Sequence, residues 1–327
     1  MTEAHPYAAL GPELVIDAIE STGRICDLRI LALNSFENRV YQIGIEGEAP
    51  LVAKFYRPGR WSDAAILEEH AFTQELAEAE LPVVAPLATA DGQTLFRHAG
   101  FRFALFPRFG GHAVEPDSEG TLLSLGRILG RMHGICSVRP FAHRPVLDIE
   151  SFARASHRLL SAGFVPADLR KSYDSLCEDL LRRLEHCYRP APGSLIRTHG
   201  DLHPGNILSR PGALWLVDLD DCRSAPAMQD LWMLLSGERQ ERLAQLDELA
   251  EGYSEFHDFP HTELRFIESL RTLRIMHHAA WLASRWEDPA FPRYFPWFAS
   301  PRYWSDHVLE LREQLAALEE EPLRLHP

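Results

Sequence analysis

Thr198-His199-Gly200-Asp201-Leu202-His203-Pro204-Gly205-Asn206-Ile207-Leu208, followed shortly by Leu214-Trp215-Leu216-Val217-Asp218, is the stretch whose reading decides the fold. Asp201 and Asn206 stand five residues apart in a polar loop containing Gly and Pro, and Asp218 follows twelve residues after Asn206 at the end of an apolar run. Ile207-Leu208 reads as a short strand, Ser209 to Gly212 as a turn, and Ala213 to Val217 as the return strand. Such a hairpin brings Asp218 back beside Asn206, so that a carboxylate and an amide oxygen converge on one small volume. Mg2+ is a hard cation that takes oxygen ligands, commonly one or two carboxylates together with phosphate oxygens. Asp, Asn, Gly and Pro are also ordinary turn residues. The DxxxxN spacing therefore carries little alone; the loop, the apolar hairpin and the third acid in register carry the reading.

Protein kinases have the same register: a catalytic-loop Asp, a metal-binding Asn and, after a short hairpin, a second metal-binding Asp. HGDLHPGNIL followed by LVDLDD resembles the aminoglycoside phosphotransferase and choline kinase group of protein-kinase-like enzymes. Two departures from ordinary protein kinases fit that group. The motif begins His-Gly-Asp, with His203 where those kinases usually carry Lys, and Leu219-Asp220 follows the metal acid in place of Phe-Gly. The resemblance runs nearly end to end. It implies an α+β, two-lobed protein-kinase-like fold, with a small β-rich N-lobe over 1–108 and a larger, mainly helical catalytic and substrate lobe over 109–327. It implies ATP as co-substrate with Mg2+, Asp201 as the catalytic base that orients and deprotonates an acceptor hydroxyl, and Asn206 and Asp218 as metal ligands, Asp218 being catalytic as well. Within the group, Val217-Asp218-Leu219-Asp220-Asp221-Cys222-Arg223 and Gln229-Asp230-Leu231-Trp232-Met233 are most similar to the bacterial stress-response serine/threonine protein kinases. Protein Ser or Thr hydroxyls, the protein's own included, are then the expected acceptors. The alternative is a choline-, aminoglycoside- or sugar-like hydroxyl.

Upstream, Arg29 to Leu33 and Arg39 to Gly44 read as two strands joined by Asn34-Ser35-Phe36-Glu37-Asn38. Leu51-Val52-Ala53-Lys54-Phe55-Tyr56 reads as a third strand. Its Val-Ala-Lys resembles the kinase strand whose Lys meets the α and β phosphates, although a lone Lys also suits an exposed edge strand. A helix is expected over about Ser62 to Glu80, with Ile66, Glu69, Phe72 and Leu76 on one face. An acid among core positions needs a cation, and Lys54 supplies one. Glu68 is rotated about 100° away, so Glu69 is the favoured partner. No G-x-G-x-x-G lies between the first two strands; the resemblance implies that Ser35 and nearby backbone N–H groups contact phosphate, as small polar loops can. Leu81 to Pro86 is expected to open the next strand region, Phe101 to Phe106 to be a strand, and Pro107 to Gly111 a hinge.

Beyond Gly111 long helical patterns dominate. Leu122, Leu125, Ile128, Leu129 and Met132 form an apolar stripe ending near His133-Gly134; Tyr173 to Leu184 gives another helix, and Glu263 to Trp286 a further, interrupted one. His133, His277 and His278 are expected to be packing or surface residues and not ligands. His199 is expected to hold its loop by hydrogen bonding, and His203 to approach the transferring phosphate. Asp220 and Asp221 are open between a second metal and a solvated turn. Trp281, Trp286, Trp297 and Trp304, with neighbouring Phe and Tyr, are either a core or docking face or a cage for a quaternary ammonium group. Two readings outside kinase catalysis remain. The alternation of His199, Asp201 and His203 suits a zinc or iron hydrolase, which gives Lys54 and Glu69 no role. A non-catalytic nucleotide-binding protein is the other.

Lys and Arg number 33 against 47 acids, a net charge of −14. That speaks against broad nucleic-acid binding, which needs basic surface to displace counterions. Five scattered Cys without C-x-x-C suggest neither a disulfide framework nor a zinc ribbon. Met1 to Leu10 lacks the basic segment and apolar core of a signal peptide, and no uninterrupted apolar run approaches a membrane span. Glu319-Glu320-Glu321 reads as a solvated acidic end. A monomeric cytoplasmic enzyme is expected.

Overall fold

Strand alternation and helix caps account for most of the architecture. The computed structural model describes residues 7–33, 35–116, 118–210 and 212–325. In chain order its elements are α1 (Pro12–Glu20), β1 (Cys26–Leu33), β2 (Arg39–Ile45), β3 (Leu51–Phe55), α2 (Asp63–Glu78), β4 (Phe96–His98), β5 (Phe101–Pro107), β6 (His112–Ala113), α3 (Thr121–Cys136), α4 (Ala155–Gly163), α5 (Ala167–Cys187), β7 (Ile196–Thr198), β8 (Ile207–Arg210), β9 (Ala213–Leu216), β10 (Arg223–Ala225), α6 (Arg239–Ser254), α7 (Ile267–Ala283), α8 (Ala290–Tyr294) and α9 (Pro301–Ala317). The chain forms two compact units. One comprises Met1–Glu115, Phe141–Arg144 and His203–Cys222; the other comprises Pro116–Pro140, Pro145–Leu202 and Arg223–Pro327.

The first unit is built on a five-stranded antiparallel sheet in the order β1-β2-β3-β5-β4. Side chains alternate across a strand. Leu51, Ala53 and Phe55 of β3 face a core shared with Val15, Ala18 and Ile19 of α1 and with Phe103 and Leu105 of β5. Phe55 and Phe103 stack with ring centroids 5.2 Å apart. Tyr56 belongs instead to a second cluster with Ile66 of α2, Leu95 and Ala104. Lys54 is thereby turned away from the α1 core. The helix after β3 starts where Ser62 caps it, its hydroxyl accepting from Ala65 N at 3.2 Å. It ends as Leu81 N reaches Leu76 O and Glu80 N reaches Ala77 O, with Glu80 left-handed at φ 59°.

A three-stranded sheet in the order β6-β8-β9 completes this unit. Ile207 pairs with Leu216 and Arg210 with Ala213, which is the expected hairpin; Pro211 of its turn lies outside the described residues. The segment Leu81 to Pro86 departs from expectation. It forms no strand but a single parallel bridge, Val83 with Leu216, because Pro82 and Pro86 have no N–H to give a ladder. Pro82 serves as an acceptor only, taking Leu216 N at 2.7 Å.

The second unit is helical apart from the short β7–β10 pair. Its closest helix contact is between α3 and α6. A Cβ on Gly126 would lie 2.2 Å from Leu249 O, one on Gly130 2.4 Å from Tyr253 O, and one on Gly252 2.1 Å from Leu123 O. These three positions touch backbone to backbone, which only glycine permits. The expected helix ending at Gly134 runs on to Cys136, and the interrupted one is a 3₁₀ turn over His261–Phe266 leading into α7. Among the described residues no helix is long and apolar enough to cross a membrane.

Candidate active site

Lys54 is the centre of the polar cluster in the first unit. Its Nζ lies 3.1 Å from Asp218 Oδ1, 3.2 Å from Asp220 Oδ1 and 3.7 Å from Glu69 Oε1. Glu69 reaches it from the inner face of α2 and also faces Arg144 Nη1 at 3.9 Å. Glu68, one residue earlier, does different work: its carboxylate accepts from the backbone N–H of Ala142, His143 and Arg144 at 2.6–2.8 Å, fixing the segment that carries Arg144. Arg144 in turn donates from Nε to Cys222 O at 2.8 Å and from Nη2 to Asp220 O, with its guanidinium 4.1 Å from the Trp61 ring.

Asp220 is not a solvated turn residue. It is buried, bonded to Arg60 Nη1 and accepts from Asn38 Nδ2 at 3.1 Å; Arg60 Nη2 holds both oxygens of Asp221 at 2.9 Å. Asp218 differs. Its side chain is 57 % exposed and its backbone is left-handed, at φ 61° and ψ 61°. The hairpin places the residue before it against Asn206, since Val217 N donates to Asn206 O at 3.0 Å, and Asn206 ends the short turn Pro204–Asn206. Ser35 turns its hydroxyl onto Asn38 O at 3.1 Å; Asn34 of the same loop lies outside the described residues.

The charges of this cluster pull against its burial. Burial is the largest single influence on Lys54 and works to lower it, but Asp220, Asp218 and Glu69 together hold it well above the usual lysine range. Glu69 is pushed up to about 7, chiefly by burial, with Lys54 opposing and Asp220 reinforcing. Asp220, equally buried, moves the other way because Lys54 and Arg60 both hold its charge. The difference is one of contact: Asp220 bonds a guanidinium directly, while both cations near Glu69 stand beyond 3.5 Å. Behind them Tyr56 OH meets His70 Nε2 at 2.7 Å and His70 Nδ1 meets Thr94 Oγ1 at 2.8 Å; burial, then Lys54, pushes this imidazole down to about 3.

A raised carboxyl makes the folded chain bind more protons than the unfolded one between about pH 4.5 and pH 7, so stability from Glu69 is present below that window and lost as pH rises through it. His70 has the opposite sign, its contribution present above about pH 6.5 and lost on acidification. Glu69→Gln leaves His70 in place and removes only the first effect. Urea unfolding of the nucleotide-free protein at pH 5 and pH 8 is expected to show the variant gaining on the wild type at the higher pH. An equal difference at both pH values would reject the account.

In the second unit, Asp201 follows a loop that is held from behind. Asp230 accepts from His199 N at 2.7 Å and Gly200 N at 2.9 Å, and Gln229 Nε2 donates to Gly200 O at 2.8 Å. Asp230 also meets His133 Nε2 at 3.3 Å, and His133 Nδ1 meets Tyr253 OH at 3.0 Å. Asp201 Oδ1 is bonded by Arg274 Nη1 from α7, four residues before His278, which stacks on Trp281 with centroids 5.7 Å apart. Burial, then Arg274, lowers His278. His277 packs on Phe152 at 4.2 Å. The tryptophans mostly pack on other rings: Trp281 on Phe291 and Phe295, Trp286 and Trp304 on Phe298.

Lys54, Glu69, Asp218 and the backbone of Asn206 thus fall in one unit and Asp201 in the other. Sequence reading gave no individual role to Asn38 or Asp230, which it met only inside quoted segments, and did not single out Arg60, Arg144 or Arg274. Only Asp230 carried a signal, an acid inside the apolar run Met228 to Leu235.

The chain matches the phosphotransferase enzyme family over residues 29–267. It is 42% identical over 325 residues to the serine/threonine protein kinase RdoA of Salmonella typhimurium, covering 99% of this chain and 98% of that one. Identity to stress response kinase A of Escherichia coli is 41% over the same length and coverage. Among solved structures, an amicoumacin kinase in complex with AMP-PNP, Ca2+ and Ami aligns with a TM-score of 0.72 at 20% identity, covering 94% of this chain and 93% of that one. A microcompartment-associated aminopropanol kinase aligns with a TM-score of 0.69 at 21% identity, covering 93% and 96%. At such identities the likeness is one of fold, and that fold is kinase-like.

Proposed function

This chain belongs to the phosphotransferase enzyme family, and from that premise we propose that it carries the terminal phosphoryl group of ATP, bound with Mg2+, to Ser and Thr hydroxyls of proteins. It is a kinase acting on a hydroxyl acceptor. The observation that carries the nucleotide reading is the buried Lys54, held between Glu69 of α2 and the exposed Asp218. A lysine so placed can meet phosphate oxygens from a position shared by Asp218, Asp220 and Glu69.

Asn206 and Asp218 fit Mg2+ by donor chemistry: an amide and a carboxylate oxygen, both hard, on one hairpin, with the Asp218 side chain reaching solvent. Mg2+ bound with the nucleotide neutralises the phosphate oxygens. Asp201 orients the acceptor hydroxyl and takes its proton. Ser35 and its loop lie over the phosphates. Asp220, already engaged by Lys54, Arg60 and Asn38, acts as an internal counter-ion. Protein acceptors are supported by the relative named as a serine/threonine protein kinase, at 42% identity over nearly the whole chain. A monomeric cytoplasmic enzyme, with lobes divided near residue 108, belongs to the same proposal.

The test is incubation with γ-labelled ATP and Mg2+ and, in parallel, a protein mixture, choline and aminoglycosides. Acid-stable label on protein Ser or Thr is expected. Saturable labelling of choline or an aminoglycoside without protein label would replace the acceptor class. Tightly bound zinc with no response to ATP and Mg2+ would overturn the reading as a whole.

A further inference from the structure

Arg274 pairs with the proposed base inside one unit, and its placement is specific. It projects from α7, a helix anchored by buried Leu270, Leu273 and Met276 and by His277 stacked on Phe152. The other partner is equally fixed, because Asp230 and Gln229 hold the backbone of His199 and Gly200 immediately before Asp201. Two rigid elements therefore bring one guanidinium nitrogen to one carboxylate oxygen.

The side chains are 38 % and 25 % exposed. An ion pair that reaches solvent contributes little to stability. The plane of a base carboxylate matters far more to rate, since a misplacement near 1 Å can cost about 10²-fold. Arg stays charged throughout the pH range and its nitrogens are fixed in a planar fork, so a bond to Oδ1 sets the rotation of the whole carboxylate.

We infer that Arg274 is a positioning residue for phosphoryl transfer, holding the Asp201 carboxylate in the rotation from which it meets the acceptor hydroxyl. The inference rests on the reading of Asp201 as base. It assigns Arg274 no contact with nucleotide or acceptor. Its effect on turnover is exerted through Asp201, and that is what separates it from a residue of the fold.

The test is a double-mutant cycle on the full chain with Mg·ATP and dephosphorylated casein, comparing wild type, Arg274→Gln, Asp201→Asn and the double variant. Arg274→Gln is expected to lower kcat by about 10- to 100-fold, with casein KM and ATP affinity changed less than about twofold. Arg274→Lys, which keeps the charge and loses the fork, is expected to recover part of that loss. In the Asp201→Asn background the same change is expected to alter the residual rate by less than about twofold. An equal loss in both backgrounds, a rise in KM with kcat intact, or a wild-type kcat would each overturn the inference. Should Arg274→Gln fail to fold by circular dichroism, the Lys variant decides in the same cycle. If wild type labels choline or an aminoglycoside and not casein, the acceptor class proposed above fails and the cycle is read on that acceptor. Wild-type turnover in Asp201→Asn would sink the base assignment and this inference together.

Discussion

Asp201→Asn is expected to fold, to bind Mg·ATP close to wild type, and to lose phosphoryl transfer by about 10² to 10⁴-fold, the usual contribution of a general base. The change is isosteric and removes the carboxylate's charge together with its capacity to accept a proton. The loop does not depend on that carboxylate, because it is held through the backbone of His199 and Gly200 by Asp230. What the variant gives up besides chemistry is a partly exposed ion pair with Arg274, a small term in stability. Thermal melting with and without Mg·ATP, set beside initial rates of label transfer, separates the two effects. Wild-type turnover in a folded variant would remove Asp201 from the reaction.

Asp218→Ala is expected to abolish turnover, by on the order of 10³-fold or more, since charge stabilisation by a metal is worth several kcal/mol and each 1.36 kcal/mol is tenfold. It is also expected to flatten the Mg2+ dependence of ATP binding measured by titration calorimetry. Asp220 is the nearest acid that could stand in, but Lys54, Arg60 and Asn38 already occupy it. Adding Asp220→Ala leaves Arg60 and Lys54 short of a partner, and breaking a buried pair in this way costs about 3–5 kcal/mol. The double variant is therefore expected to be less stable but no less able to show the effect at low temperature. Wild-type Mg·ATP binding by Asp218→Ala, or by the double variant while folded, would defeat the metal assignment.

The parts of this molecule that could be read from sequence are those fixed over short spans. The hairpin after Asn206 follows from two apolar runs and a turn, and Ile207 does pair with Leu216. Lys54 and Glu69 follow from a period of two and a period of 3.6 meeting on one face, and the two side chains stand 3.7 Å apart. Kinase-like architecture followed from those motifs together. Arg60 and Arg144 were illegible because nothing in Arg57-Pro58-Gly59-Arg60 or in the segment around Arg144 marks a residue that will hold Asp220, Arg60 at its carboxylate and Arg144 at its backbone carbonyl; only the folded chain brings them there. Glu68 was passed over as the acid on the wrong face, yet that face is where the 142–144 backbone needs an acceptor. The Leu81–Pro86 strand failed for a local reason, its two prolines.

The glycine contact between α3 and α6 reaches beyond packing. Tyr253 of α6 holds His133 of α3, His133 meets Asp230, and Asp230 holds the two residues before Asp201. The approach of the two helices, permitted by the bare glycines Gly126, Gly130 and Gly252, thus helps to place the loop that carries Asp201, so that a side chain added at any of them would reach that loop as well as the helix packing.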